Sequence, residues 1–307
     1  MNKKNIYILV LPLLFFLCNY MWGNTFVSTD CEKGLINVSQ PFLYTCINIE
    51  VNKLSSEINN GKSCESPIYF SESNSGLIYF ADLKNENNIS ISRELFFSKY
   101  NSATALWTIP LNIKKEYSKF LEENKKMNYK EIFFSMDNDI YRLDLENNTY
   151  SPQKLNFNTK YIETSPTHSP DGNTLYFISD RKGGYGAKDI WASERLSNGN
   201  WIEPYNLGKD INSINDEESP FIMSDGATLY FSSNGDPSIG GFDIFMTTQN
   251  DEGVWSIPEN IGEPINSSSD DYFYITDSFG KKAYYSSDKL EKGNQDIFNV
   301  IFNSSGK

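Results

Sequence analysis

The sequence predicts an all-β protein, a single β-propeller of four-stranded antiparallel blades, from two repeated patterns. The tripeptide Asp-Ile-aromatic begins at four positions that lie 50, 54 and 53 residues apart: Asp139, Asp189, Asp243 and Asp296. The pattern Trp-x-x-Pro-x-Asn-aliphatic begins three times, at Trp107, Trp201 and Trp255. A constant period of this kind is typical of one supersecondary unit repeated, because a single unit cannot bury its own apolar face. Short sheets repeated around an axis form a propeller.

The best-preserved unit, about residues 163–212, contains four predicted strands. The first two flank the turn at Asp171-Gly172, where the preceding proline presets φ, the aspartate bonds its own backbone and the glycine accepts a positive φ. The third strand carries Asp189-Ile190-Trp191 and the fourth carries Trp201. The next unit repeats each device, with its turn at Asp225-Gly226.

Five units follow an N-terminal segment, with approximate bounds 64–112, 113–157, 158–212, 213–267 and 268–307. In the second unit a polar stretch, Lys114 to Lys126, lies where the first strand should be, and we expect a short surface helix there. The last unit ends after its third strand. We therefore expect the segment 24–63 to close the ring with a fourth strand from within Leu35 to Val51. This gives five blades, or six if residues 24–63 fold as a full blade.

The charge balance argues against one class of partner. The chain has 27 Lys and Arg against 40 Asp and Glu, a formal net charge of −13. Nucleic acids are bound by clustered basic side chains, and the basic residues here are scattered, so no nucleic-acid partner is expected. The excess of carboxylates favours a basic partner or divalent cations.

The first 23 residues predict export. Asn2-Lys3-Lys4 precedes an apolar run, Ile6 to Cys18, that is too short to span a bilayer comfortably, as in a cleaved signal peptide. No transmembrane span is then expected in the mature chain. A lipidated Cys18 and an uncleaved anchor are the alternatives.

Three cysteines follow this segment, Cys31, Cys46 and Cys64. In an oxidising compartment they allow one disulfide, with three choices of pair and one thiol left over. Three ordinary buried thiols are the alternative reading.

Catalytic signals are weak. His168 is the only histidine, which excludes a zinc site built from several histidines. The glycine-rich stretches Gly183–Gly186 and Gly240-Gly241 lack a following helix and a phosphate-binding lysine, so they read as tight loops. No catalytic residue, metal ligand set or cofactor is predicted, and calcium is the one ion that the acidic residues below would suit.

Aromatic residues recur at fixed places in the units, which indicates packing between blades. The residues assigned this role are Trp107, Trp201, Trp255, Trp191, Phe245 and Phe298. On this interpretation, replacing Trp255 by alanine should lower the free energy of unfolding by about 3–5 kcal/mol.

Carboxylates recur at the start of each predicted first strand, at Glu65, Glu163, Glu218 and Asp271. In a propeller the first strand lines the central channel, so these four could form an acidic ring at one channel mouth that binds a cation or a basic peptide. The alternative is structural, with each acid bonded to backbone amides of a neighbouring blade.

The motifs resemble a known family. Ser-Pro-Asp-Gly-Asn-Thr-Leu-Tyr-Phe from Ser169, Gly-Gly-x-Gly-x-x-Asp-Ile-Trp from Gly183 and Trp-x-x-Pro-x-Asn-Leu-Gly from Trp201 are similar to the WD40-like β-propeller repeats of bacterial envelope proteins. TolB-type periplasmic proteins carry such repeats, as do the propeller modules of OmpA-family and type IX secretion-associated proteins. The resemblance implies a non-catalytic scaffold, periplasmic or associated with the outer membrane, that binds an envelope or secretion-system protein.

Two alternatives remain at this stage. A five-bladed propeller can host glycoside hydrolysis, which needs two carboxylates roughly 5–10 Å apart, and Glu163, Glu218 and Asp271 would be the candidates. Against it, these acids recur with the repeat, whereas catalytic acids should break the symmetry. A carbohydrate-binding propeller is the second alternative, although the aromatic residues are assigned to packing.

Overall fold

The computed structural model describes residues 47–61, 63–71, 75–85, 90–124 and 130–304. This part of the chain is built of strands, with one short helix. The predicted signal peptide (1–23), Cys31 and Cys46 lie outside the described residues. Within them, Cys64 is a free thiol, and no helix is long and apolar enough to cross a membrane.

The elements, in chain order, are β1 (Ile47–Lys53), β2 (Ser63–Ser71), β3 (Gly76–Lys84), β4 (Ser90–Asn101), β5 (Leu106–Trp107), β6 (Leu111–Asn112), α1 (Tyr117–Glu123), β7 (Glu131–Met136), β8 (Asp139–Asp144), β9 (Gln153–Lys154), β10 (Glu163–His168), β11 (Thr174–Ser179), β12 (Asp189–Glu194), β13 (Tyr205–Asn206), β14 (Glu217–Ile222), β15 (Thr228–Ser233), β16 (Asp243–Thr248), β17 (Glu259–Asn260), β18 (Asp271–Thr276), β19 (Lys282–Ser287) and β20 (Asp296–Ser304).

These strands form five antiparallel sheets, the blades of a five-bladed propeller. Blade 1 is β2-β3-β4 with β5 and β6 on β4, blade 2 is β7-β8-β9, blade 3 is β10 to β13, blade 4 is β14 to β17, and blade 5 is β18-β19-β20-β1. The prediction of a single all-β propeller is confirmed, with five blades.

The ring closes through the N-terminal segment, as predicted. β1 pairs with β20 over seven residues, from Ile47 opposite Ser304 to Lys53 opposite Phe298. Ile49 and Val51 point inward onto the apolar cluster of blade 5. Because β1 is the fourth strand of blade 5, residues 47–53 are not part of a sixth blade.

Among the described residues, blade 2 has no innermost strand like those of the other blades. Its place in the sequence is taken by α1, inside the stretch predicted as a surface helix. The helix is more than a surface feature, since Tyr117 is 5% exposed and Phe120 is fully buried. Phe120 packs edge-on against Phe97 of blade 1 at 5.4 Å, so α1 fills the space between blades 1 and 2.

A repeated asparagine bonds the strand that begins with the Asp-Ile-aromatic tripeptide in four blades. These strands are β8, β12, β16 and β20. Asn212 accepts a hydrogen bond from the Ile190 N–H at 2.8 Å and donates to the Ile190 carbonyl at 3.0 Å. The same pair of bonds joins Asn158 to Ile140, Asn266 to Ile244, and Asn59 to Ile297. The bond to the N–H gives a buried donor its partner, and the bond to the carbonyl adds to the backbone hydrogen bond that this carbonyl already accepts.

The aspartate of the repeated tripeptide has a structural role in blades 3 and 4. Asp189 accepts bonds from the Tyr185 and Gly186 N–H groups at 2.5 and 2.9 Å, and from Asn206 at 2.7 Å. Asp243 does the same with the loop before it and with Asn260. The glycine-rich stretches are therefore tight loops held by the next strand.

The aromatic residues assigned to packing lie in the apolar clusters between blades. Trp201 is 3% exposed and packs edge-on against Phe133 of blade 2 at 5.7 Å. Trp255 is only half-buried and sits at the margin of its cluster. The cost expected for Trp255→Ala was therefore too high, because part of that side chain already contacts water.

The predicted turns lie between the first two strands of blades 3 and 4. Gly172 and Gly226 both have φ of 71°. The Asp171 carboxylate accepts the Asn173 N–H at 3.0 Å, and the Asp225 carboxylate accepts the Ala227 N–H at 2.9 Å.

Candidate functional site at the axial mouth

One end of the propeller carries the connections that lead into the innermost strands and those between the second and third strands of each blade. We call this end the upper face and the opposite end the lower face. The glycine-rich loops, and the first residues of β2, β10, β14 and β18, all lie at the upper face.

A narrow channel runs along the axis, with a cavity volume of about 30 Å³. All five blades line it, through residues such as Pro67, Phe134, Thr167, Phe221 and Ile275. A cavity of this size has room for one or two water molecules.

The innermost strands of blades 3, 4 and 5 share a strained backbone where they line this channel. Ser165, Ser219 and Phe273 have φ of 50°, 53° and 54°, at a bulge in each strand. Residues other than glycine rarely adopt this conformation. The bulges bring these three residues to the channel wall.

Three of the four predicted ring acids do not line an open mouth, because the Glu65, Glu163 and Asp271 side chains are fully buried. Glu163 accepts bonds from the Thr159 N–H at 3.0 Å and hydroxyl at 2.6 Å. Asp271 accepts the equivalent bonds from Ser267 at 2.7 and 2.9 Å. The predicted ring is corrected here: these acids bond the backbone that enters their own strand.

The fourth predicted acid, Glu218, is out of phase with the other three. The residue equivalent to Glu163 and Asp271 is Glu217, which lies opposite Ser233 as Glu163 lies opposite Ser179. Successive side chains of a strand point to opposite faces, so a shift of one residue changes the face. Glu217 is fully buried, whereas 15% of the Glu218 side chain is exposed.

Glu218 belongs to a group of charged side chains at the upper mouth. Its carboxylate accepts a hydrogen bond from the Lys188 ammonium of blade 3 at 2.5 Å. Burial raises the pKa of Glu218, while the charges of Lys188 and of Arg93 from blade 1 oppose that rise. Arg93 itself makes two bonds of 2.6 Å to Asp82.

Tyr272 of blade 5 lies in the same group. Burial raises the pKa of its hydroxyl, and the negative charges of Asp270, Glu218, Asp288 and Asp216 raise it further. Its ring packs on Phe242 at 4.9 Å. Blades 1, 3, 4 and 5 thus contribute Arg93, Lys188, Glu218 and Tyr272 to one place, which we call the axial mouth.

The buried acids have unusual proton affinities. Burial raises the pKa of Glu65 and of Glu217 to about 7, and that of Asp271 to about 6. For Glu217 the hydrogen bonds from Ser213 and Ser233 partly oppose the effect of burial. These carboxyls titrate in the range from weakly acidic to neutral pH.

Reasoning from sequence found Glu218 but missed Lys188, Arg93 and Tyr272. No local signal points to them, because they come from different positions in three other blades and meet only once the ring is closed. Among the described residues, no group of three or more His, Cys, Asp or Glu could hold a metal ion. A calcium site stays a prediction.

The fold and the axial mouth define a five-bladed β-propeller with a nearly closed channel. No family model matches the sequence, and no curated protein matches it. Among solved structures, a protein assigned as TolB from Agrobacterium tumefaciens is similar, with 15% identity, a TM-score of 0.43, and coverage of 80% of this chain and 78% of that one.

Two other solved structures are similar. A puromycin-hydrolysing peptidase from Mycobacterium tuberculosis has 13% identity and a TM-score of 0.37, and the match covers 82% of this chain but only 39% of the peptidase. A protein from Lactobacillus plantarum has 10% identity and a TM-score of 0.37, with coverage of 73% of this chain and 65% of that one. At these identities the likeness says nothing about activity.

Proposed function

We propose that the chain is a non-catalytic interaction module, exported to the bacterial cell envelope, that binds a protein or peptide across its upper face. The observation that carries this is the axial mouth itself. Side chains from four blades meet at one end of the propeller, next to an axial cavity of only about 30 Å³, and can form a surface for contact. Charged groups beside an aromatic pair suit recognition of a polypeptide.

Exposed apolar side chains around the mouth support a protein partner. Tyr185, Ile239 and Leu290 lie on the loops between second and third strands of blades 3, 4 and 5, and Ile214 lies on the loop that enters blade 4. Ile214 is 87% exposed. These side chains can add contact area to a partner bound at the upper face, and the lower face exposes apolar side chains as well, among them Leu196, Val254 and Phe279.

The proposed location and class of partner come from the sequence. The WD40-like repeats resemble those of TolB-type and OmpA-family envelope proteins, and the first 23 residues have the pattern of a signal peptide. The proposed partner is therefore an envelope or secretion-system protein, and the proposed site of action is the periplasm or the outer membrane.

The alternative, a glycoside hydrolase, needs two carboxylates that a sugar can reach. Glu163 and Asp271 are fully buried, and Glu163 is further held by Arg181 at 2.9 Å. Of the three candidates only Glu218 reaches solvent, and Lys188 is bonded to it. Hydrolysis of any member of a broad oligosaccharide panel by the purified protein would revive this alternative.

A charge swap at the axial mouth tests the proposed function. In the double variant Glu218→Lys/Lys188→Glu, the ion pair is kept but its polarity is reversed, so the fold should be retained while a complementary partner is repelled. Tagged wild type and variant are cross-linked in cells, and the captured envelope proteins are identified by mass spectrometry. Glu252→Gln, on an exposed lower-face loop, is the control.

We expect wild type and Glu252→Gln to capture the same recurrent set of envelope proteins. The charge-swap variant should no longer capture that set. Capture of the same set by all three proteins would show that the axial mouth does not bind the partner.

A further inference from the structure

An acid, a serine, two aromatic rings and a cation lie together where the innermost strands of blades 3 and 5 begin. In blade 3 the buried Glu163 faces Ser179 across the sheet, and the Arg181 guanidinium bonds Glu163 at 2.9 Å. The same guanidinium lies over the rings of Phe177 and Trp191, at 5.2 and 5.4 Å from their centroids. A buried acid, a serine, two rings and a cation thus form one closed group.

Blade 5 has a lysine at the equivalent position, but its ammonium bonds the Tyr285 hydroxyl at 2.5 Å and, among the described residues, forms no ion pair with Asp271. Lys289 lies two residues after Ser287, as Arg181 lies two residues after Ser179, and each N–H bonds the serine hydroxyl at 3.2 Å. The Lys289 ammonium is 5.1 Å from the Tyr285 ring and 4.3 Å from the Phe298 ring. Burial lowers the pKa of Lys289, and the charge of Asp271 opposes this.

Blade 4 has every part of the set except the cation. Glu217 faces Ser233, and Phe231 stacks with Phe245 at 6.0 Å, in the register of the ring pairs of blades 3 and 5. The position of Arg181 and Lys289 is Gly235, whose N–H bonds the Ser233 hydroxyl at 3.1 Å. The backbone is therefore the same and only the cationic side chain is missing.

The acid of blade 4 is incompletely bonded. Glu217 is fully buried, and its Oε2 atom has no hydrogen-bond partner among the described residues, which is also true of Asp271 Oδ1 in blade 5 and Glu65 Oε2 in blade 1. A Cβ at Gly235 would lie 3.2–3.3 Å from polar side-chain atoms of Asn215, Ser213 and Ser233, and the latter two bond Glu217 Oε1. Gly235 thus adjoins the acid, and the Asn215, Ser213 and Ser233 side chains already lie close to the space that a side chain at position 235 would need. In blade 1 the equivalent position holds an apolar side chain, Leu83.

We propose that blade 4 contains a binding subsite for an external cationic group, a guanidinium or an ammonium, between the Glu217 carboxylate and the Phe231 and Phe245 rings. The group takes the place that Arg181 fills in blade 3 and Lys289 in blade 5. Carboxylate contact supplies charge neutralisation and the rings supply cation–π attraction.

A basic side chain of the partner is the source that fits this position. Gly235 lies in an upper-face loop, and the next residues of that loop, Asp236 and Pro237, are exposed. A partner bound at the upper face would therefore contact this loop. This choice of source rests on the proposed function, whereas the subsite itself does not. A free small cation is the other source, and the probes below separate the two.

The test measures binding of two probes to the full chain by NMR and by the shift in thermal midpoint at pH 8, where Glu217 is ionised. The probes are N-acetyl-arginine methylamide, which mimics a side chain in a polypeptide, and methylammonium, which mimics a free cation. Gly235→Arg, which supplies the cation within the chain, is the blocked variant. Arg181→Gly, which opens the same position in blade 3, is the positive control.

We expect the arginine probe to bind wild type with a millimolar Kd and to raise its thermal midpoint, and we expect both effects to be lost in Gly235→Arg. Arg181→Gly should bind a second equivalent. Binding of methylammonium with at least equal affinity would assign the subsite to a free cation and contradict the partner source. Absence of binding of both probes to wild type overturns the proposal, whether or not the control variant folds.

The same variants separate this inference from the proposed function. If Gly235→Arg captures the full set of envelope partners and wild type binds neither probe, the subsite is wrong and the function stands. If wild type binds the arginine probe but the axial charge swap captures the same proteins as wild type, the subsite stands and the assignment of the partner to the axial mouth is wrong.

Discussion

At the scale of the residue, the buried acids occupy equivalent positions in the repeat but differ in whether a cation lies beside them. Glu163 is neutralised by Arg181 at 2.9 Å, whereas Glu217 is fully buried without a cation and has a pKa raised to about 7 by burial. The two acids are equivalent in register. Replacing each by glutamine should therefore have opposite effects.

Glu217→Gln should stabilise the protein at alkaline pH. The folded pKa of Glu217 lies above the unfolded value of about 4.5, so wild type loses stability as the pH rises from the unfolded pKa through the folded one. The loss is complete above about pH 8 and on the order of 3 kcal/mol. Urea denaturation at pH 4 and pH 8 should show equal stability of wild type and variant at the lower pH, and a more stable variant at the higher pH.

Glu163→Gln is the matched control and should destabilise the protein at pH 8 by about 3–5 kcal/mol, because it leaves the buried Arg181 without its carboxylate. A stabilising Glu163→Gln, or a Glu217→Gln that is destabilising at pH 8, would show that the electrostatic roles of the two acids are misassigned.

Trp201→Ala should cost about 3–5 kcal/mol, because this nearly buried ring joins blades 2 and 3. Trp255→Ala should cost less, since the equivalent ring in blade 4 is half-buried. Equal losses in a denaturant titration of the two variants would argue against the difference in packing.

At the scale of the element, the strand that carries the Asp-Ile-aromatic tripeptide in blades 2 to 5 depends on one asparagine. Asn212→Ala leaves the Ile190 N–H unpaired in the core, whereas the Ile190 carbonyl keeps its bond from the Leu207 N–H at 3.1 Å, so the cost should be about 1–3 kcal/mol. Asn200→Ala, on an exposed turn, should change stability by less than about 0.5 kcal/mol. Hydrogen exchange of the Ile190 amide should accelerate only in Asn212→Ala, and unchanged exchange there would contradict the role of this side chain.

Some elements could be predicted from sequence and others could not. The turns at Asp171-Gly172 and Asp225-Gly226 depend on residues within the turn itself: the aspartate bonds nearby backbone and the glycine adopts a positive φ. Their positions can therefore be predicted from the local sequence. The helix in blade 2 was expected from its polar stretch, but burial of Tyr117 and Phe120 depends on blade 1 and has no local signal. The asparagines at 158, 212 and 266 recur every 54 residues, so that spacing could have revealed them.

The acidic ring shows why a site is harder to predict than a fold. Glu217 and Glu218 are adjacent, and only the register of β14 on β15 decides which of them is buried. The prediction combined Glu218 with three acids in the other phase. The partners of Glu218 at the axial mouth come from blades that a linear pattern does not relate to one another.

At the scale of the whole molecule, closure of the ring depends on β1. A chain that lacks residues 1–46 keeps the seven pairs between β1 and β20 and is the reference. A chain that lacks residues 1–53 loses them and exposes the inner apolar side of blade 5. It should unfold at least 10 °C lower or aggregate, as calorimetry would show, since about 1 kcal/mol shifts the midpoint of a domain this large by roughly 2–4 °C. Equal midpoints for both truncations would contradict closure by β1.

The central claim is that the upper face of this propeller binds an envelope protein. The most direct measurement places a photo-cross-linking amino acid at single exposed positions in cells. Tyr185, Ile214 and Leu290 sample the upper face, and Leu196 and Phe279 sample the lower face. We predict a common cross-linked partner from all three upper positions and from neither lower one. The same partner cross-linked from the lower positions alone, or no partner from any upper position, would contradict the claim.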